Sequence, residues 1–207
     1  MKEQEMKFWA RVFECAPRLS PESMQRWIDD PKGLKALLVQ LVERQESELL
    51  NWLGTTTTSA TTTNFVAKDR FVEGSKEVKL AHISDNFRSW FLTGDGKIEE
   101  PQGAQELRYG DLTKGSVDGP IVEELGGEAK AETTLAELHD LLKKQANGED
   151  GVLLTNGRAN IFYIQDISGV LRAVFVDWCG GGCRVDSSSV EAPDDWNAGR
   201  RVFSDNS

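Results

Sequence analysis

Residues 171–204 read Leu171-Arg-Ala-Val-Phe-Val-Asp-Trp-Cys-Gly-Gly-Gly-Cys-Arg-Val-Asp-Ser-Ser-Ser-Val190-Glu-Ala-Pro-Asp-Asp-Trp-Asn-Ala-Gly-Arg200-Arg-Val-Phe-Ser204. Runs rich in β-branched and aromatic residues at 171–178, 183–190 and 200–204 are punctuated by three glycines and by a Pro-Asp-Asp loop, the pattern of short antiparallel strands. The two-residue strand period puts Arg184, Asp186 and Ser188 on one face and Val185, Ser187 and Ser189 on the other. Loops 179–181 and 192–200 can then lie at one end of the sheet, where Trp178 and Trp196 would frame a shallow surface with aromatic walls.

Working toward the N-terminus, further strands are expected at 151–154 and 159–165, after the Asn147-Gly148 turn signal. Two helices precede them. One, at 121–125, opens after Gly119-Pro120 and stops at Gly126-Gly127. The other, 135–145, is capped by Thr133 or Thr134 and carries Leu135, Leu138, Leu141 and Leu142 on one side, which leaves His139 and Asp140 to a solvated face. Strands are also expected at 64–71 and 77–83, a strand or a turn of helix at 86–92, and a turn at Gly94-Asp95-Gly96. The class is α+β, ending in an antiparallel β meander.

The N-terminal segment reads differently. Phe8, Trp9, Val12 and Phe13 recur at helical spacing before Pro17, Ser20-Pro21-Glu22 is a helix start, and Leu34, Leu37, Leu38, Leu41 and Val42 continue one apolar stripe through Leu49, Leu50 and Leu53. Residues 1–54 therefore form a helical hairpin or small bundle, a candidate for self-association through residues 1–53. The Thr-rich stretch 55–63 has nothing large enough to bury and serves as a linker or exposed edge. Residues 64–207 make up the second domain.

The chain has 207 residues and a net charge of −10, and residues 54–207 hold 16 basic against 25 acidic groups. A nucleic-acid binder needs clustered Lys and Arg, so this balance excludes a general phosphate-backbone partner. No apolar run reaches the roughly 20 residues of a membrane helix, and the first residues lack a secretion signal, so a cytoplasmic protein without membrane insertion is expected. The three cysteines, Cys15, Cys179 and Cys183, fit no disulfide framework. Cys179 and Cys183 have no second ligand pair for zinc, and His82 and His139 stand in no ligand spacing. No nucleophile-elbow, P-loop, metalloprotease or dinucleotide motif occurs. The sequence reads as a binding protein and not an enzyme, with no cofactor or metal; an enzyme with an unrecognised site, or an adaptor acting through residues 1–53, are the alternatives from other classes.

The arrangement from Trp178 to Ser204 resembles the variable segment of target proteins diversified by diversity-generating retroelements, in a form met in candidate-phylum bacteria. Asn86-Phe-Arg-Ser-Trp-Phe91, Gly126-Gly127, Asn147-Gly-Glu-Asp-Gly151 and Asn160-Ile-Phe-Tyr163 extend the likeness over roughly residues 65–207. The resemblance implies a C-type lectin-like fold with a hypervariable ligand- or receptor-binding face, whose partner is a protein or another macromolecule. In such systems adenines of a template are randomised during reverse transcription. Asparagine codons then reach most residue types but never Glu, Gln, Lys, Met or Trp. The implied variable positions are Cys179, Gly180, Gly181, Arg184, Asp186, Ser188, Ala192, Asp194, Asp195, Asn197, Ala198 and Arg200. None is of a forbidden type, although those five types supply 48 of the 207 residues. Trp178, Gly182, Val185, Val190, Pro193, Trp196, Gly199, Val202 and Phe203 would be the fixed frame, with Cys183 where tryptophan is expected and Ser187 where a small apolar residue is. A calcium-dependent carbohydrate-binding lectin is the nearest alternative, since Glu191, Asp194, Asp195 and Asn197 offer oxygens. Its weakness is Ala198, which follows Trp196-Asn197 where such a lectin supplies an acid.

Overall fold

The computed structural model describes residues 48–206 except Pro193, together with Gln25, residues 29–33 and Lys35. The chain divides into two units, Met1–Ser47 and Glu48–Ser207. In the first, Gln25, Asp29, residues 31–33 and Lys35 are helical. The Asp30 carboxylate accepts a hydrogen bond from Gly33 N at 2.9 Å, an N-cap with Pro31 at the first helical position. The rest of the expected N-terminal hairpin or bundle, and self-association through it, lie outside the described residues.

The second unit is mixed α and β. Its strands are β1 Leu50–Thr57, β2 Phe65–Val66, β3 Leu80–Ile83, β4 Ile98–Glu99, β5 Glu106–Leu112, β6 Asn160–Gln165, β7 Leu171–Cys179, β8 Gly182–Ser189 and β9 Arg201–Asp205. Its helices are α1 Ala67–Arg70, α2 Asp85–Phe87 (running on as the π-helical turn Arg88–Leu92), α3 Asp118–Glu124, α4 Glu128–Ala131 and α5 Leu135–Lys144. Seven strands form one sheet in the order β1-β5-β9-β6-β7-β8-β3, and β2 pairs with β4 apart from it. β6, β7 and β8 are an antiparallel meander. β9 lies between β5, antiparallel to it, and β6, parallel to it.

Both faces of the sheet are covered. On one, Leu138, Leu141 and Leu142 of α5 join Phe87 and Phe91 against Phe162, Val174, Val176, Trp178, Cys183, Val185 and Phe203. On the other, Ile121 and Val122 of α3 and Leu125 at its C-cap pack with Leu50, Leu112, Ile161, Tyr163, Ala173, Trp196 and Val202. Alternation along each strand divides these two sets, as β6 shows, where Phe162 and Ile164 go one way and Ile161 and Tyr163 the other.

Several expectations change here. Leu50 and Leu53 belong to an edge strand and not to the helical stripe, and Thr55–Thr57 extend that strand, pairing with Arg108, Leu107 and Glu106. The unit boundary thus falls after residue 47, and residues 55–57 take the exposed-edge alternative and not the linker. β-branched threonines and Gly54 are poor helix formers, and a regular partner in β5 supplies the pairing they need. Only two residues of the expected strand 64–71 are extended before α1 begins, residues 151–154 form no strand, and 86–92 are helical, with the Ser84 hydroxyl accepting from Phe87 N at 3.2 Å. α5 has a complete capping box, in which Thr134 Oγ1 accepts from Glu137 N and Glu137 Oε2 accepts from Thr134 N. The Glu99 carboxylate takes the next two orphan donors, Leu135 N and Ala136 N. No described helix is long and apolar enough to cross a membrane.

His139 departs furthest from expectation. It is 4% exposed and lies against the rings of Phe65 and Phe71, with centroids 5.6 and 5.7 Å away. Burial pulls its pKa down to about 4, against the attraction of Glu77. The unfolded chain therefore takes up this proton first as pH falls, and the folded state loses stability from about pH 6.5 down through about 4. That loss is on the order of 3 kcal/mol. Urea unfolding of His139→Leu across this range should show a flatter acid limb than the parent chain.

Candidate ligand-binding face

The β7–β8 hairpin sorts its residues by parity. Cys183, Val185 and Ser187 are at most 1% exposed on the α5 side, while Arg184, Asp186 and Ser188 are exposed or half-buried on the opposite side. Register places Arg184 beside Asp177, Asp186 beside Phe175 and Ser188 beside Ala173. Arg184 forks onto Asp177, with Nε donating to Oδ1 at 2.7 Å and Nη2 to Oδ2. β3 adds His82 next to Arg184. A cavity of about 120 Å³ lies between them, lined by His82, Phe175, Asp177, Arg184, Val185 and Asp186.

Loop 190–200 adjoins this face. Trp196 is 3% exposed and meets Phe175 edge-on, with ring centroids 5.0 Å apart. Its backbone exchanges two hydrogen bonds with Ser116, at 2.8 and 2.9 Å. Its indole Nε1 donates to Asp118 Oδ1 at 2.7 Å, and Tyr163 Oη donates to the same oxygen at 2.8 Å. Asp118 is fully buried, and burial raises its pKa against the lowering effect of these two donors. On the outer side the Arg200 guanidinium lies 5.3 Å from the Trp196 ring centroid and donates to Asp195 O at 3.0 Å. The loop is therefore pinned through Trp196 and through the backbone of Gly199 and Arg200 on Leu112, while Asp194, Asp195, Asn197 and Ala198 stay exposed.

Two glycines are required by this path. Gly182 has φ +145, and a Cβ there would lie 2.5 Å from Lys79 O; Gly199 has φ +78 and abuts the Arg158 guanidinium. Both belong to the expected frame. Of the twelve implied variable positions nine are exposed and Asp186, Ser188 and Arg200 are half-buried; none is buried. Among frame residues, Trp178, Gly182, Val185, Trp196, Val202 and Phe203 are buried, Val190 and Gly199 are half-buried, and Pro193 lies outside the described residues. The two unexpected frame types both point into the core, where Ser187 Oγ has no hydrogen-bond partner among the described residues.

The geometry corrects two expectations. Trp178 shares parity with Val174 and Val176 and packs on the α5 side, so it cannot wall the face that Trp196 borders. Loops 179–181 and 190–200 also leave β8 at opposite ends, roughly 25 Å apart for eight extended residues. The second loop then turns back, since Trp196 reaches Phe175 in mid-strand and Arg201 pairs with Asn160, itself the partner of Val176. Cys179 faces outward and Cys183 inward, where burial pushes the Cys183 thiol up to about 12. Phe175, Asp177, His82 and Asp118 were not foreseen in the site. Parity along β7 carried the signal for Phe175 and Asp177, but nothing local marks Asp118 or His82.

The chain matches no protein-family model, and no curated protein or solved structure is significantly similar to it.

Asp118→Leu would leave the Tyr163 hydroxyl and Trp196 indole buried without an acceptor, at a cost of about 2–5 kcal/mol. Asp118→Asn keeps an oxygen for both donors and should cost clearly less. Denaturant midpoints of the two variants, with intrinsic tryptophan fluorescence as the signal, check this order.

Proposed function

We propose that the second unit is a C-type lectin-like variable domain that binds a macromolecular ligand, and that retroelement mutagenesis diversifies its face. The observation that carries this reading is the division of residues 178–203, in which every implied variable position is solvent-accessible and most of the frame is buried. Substitutions at exposed positions usually change stability by no more than about 0.5 kcal/mol, so such a face can vary while the scaffold persists. The connectivity supports the fold assignment. β5 and β9 close this part of the chain antiparallel, α3 and α5 intervene, and β6–β8 form the meander beside β9.

A protein ligand fits this individual's chemistry better than a nucleic acid. Asp177, Asp186, Glu191, Asp194 and Asp195 outnumber Arg184 and Arg200 on the face and its loop, and Arg184 is already committed to Asp177. A phosphate backbone would be repelled. A surface offering Lys or Arg would be attracted, with Phe175 as an aromatic floor beneath it.

Sequencing the codons for residues 178–204 across many cells of one source population tests the mechanism. Substitutions should concentrate at the twelve variable codons, trace to template adenines and leave Trp178, Val185 and Trp196 unchanged. An invariant segment, or changes spread evenly over frame codons, would contradict the proposal.

A further inference from the structure

On the α5 side of the sheet, away from the variable positions, a cavity of about 170 Å³ is lined by Phe65, Arg70, Ala136, His139, Asp140, Lys143 and the 59–61 segment. It has room for several waters or one small solute. His139 lines it and is 96% buried, yet among the described residues its Nε2 has no hydrogen-bond partner. A buried imidazole nitrogen without a partner is costly, and a polar group seated in the cavity would answer it.

The charges around the opening define what that could be. Glu77 bridges Arg70 and Lys143, with Oε2 3.3 Å from Arg70 Nη1 and Oε1 2.8 Å from Lys143 Nζ. Its Oε2 stops 4.0 Å from His139 Nε2, too far for a hydrogen bond. Asp140 is answered separately, by Lys144 Nζ at 2.8 Å and Ser59 N at 3.0 Å. Arg70, Lys143 and Lys144 against Glu77 and Asp140 leave one positive charge over, on a chain whose net charge is −10. Arg70 and Lys143 are each about half exposed, with side-chain exposures of 47% and 46%, and the guanidinium keeps donors beyond the one it gives Glu77.

We propose that this cavity binds a small oxyanion, a carboxylate or phosphate group, held by Arg70 and Lys143 at the opening and by the His139 imidazole within. Phe65, tilted at 59° to the imidazole, gives the group's substituent an apolar wall. The site is independent of the variable face and of the reading given to it.

The chain has only two histidines, His82 and His139, so their imidazole nitrogen resonances are separable by NMR and His82 serves as an internal control. The full chain would be titrated with inorganic phosphate and, separately, with acetate, at constant ionic strength made up with chloride. Binding moves the His139 resonances saturably, with a dissociation constant of about a millimolar, and leaves those of His82 in place. Arg70→Gln and Lys143→Gln each weaken it about tenfold or more, with unchanged melting temperatures. Saturation with phosphate alone assigns a phosphate ligand, and with acetate alone a carboxylate. His139 resonances that ignore both anions, or that shift equally in Arg70→Gln and Lys143→Gln, would overturn the proposal and leave a bridging water between His139 and Glu77 as the answer.

Discussion

An extended strand turns successive side chains to opposite faces, and in the β7–β8 hairpin this constraint divides the residues that hold the fold from those free to change. Val174, Val176, Trp178, Cys183 and Val185 enter the core beneath α5, while Asp177, Arg184, Asp186 and Ser188 remain accessible. A one-residue slip would exchange the two sets, so a buried face locks the register of an accessible one. The position of β9 adds to this. It lies inside the sheet and hydrogen-bonds on both sides, so the loop before it must return across the outer face to reach its slot.

That return is secured at Trp196 and, at its end, where Gly199 and Arg200 pair with Leu112. The Asp118 carboxylate collects the Trp196 indole and the Tyr163 hydroxyl on one buried oxygen, and Phe175 closes on the indole edge. With this anchor, two backbone bonds to Ser116 and two to Leu112, the loop keeps its path without help from its exposed residues. Asp118 thus links α3, β6 and the loop. It is a positioning residue in the sense that it touches no exposed surface itself.

The α+β class, the meander and the capping of α5 were legible because each rests on local chemistry: strand parity, Gly-rich turns and a Thr134–Glu137 capping box. What stayed hidden depends on partners distant in sequence. β1 is a strand because β5 offers it a register, and no signal within 50–57 announces that partner. His139 sits beside Asp140 and Lys143 in the sequence, yet folding places Phe65 and Phe71 over it. Trp178 and Trp196 look like a matched pair along the chain, and parity sends them to opposite faces. The implied variable positions were readable individually, while the residues beneath them, Phe175 and Asp118, required the fold.

The central claim is that the sequence separates scaffold from face at residues 178–203. A library with the codons of the twelve accessible positions randomised, sorted for folded members by protease resistance, tests it directly. Most members should survive as the parent does, whereas a library of equal size randomised at twelve buried positions should collapse. If both libraries lost folded members to the same extent, the exposed positions would be part of the scaffold, and the account would fail.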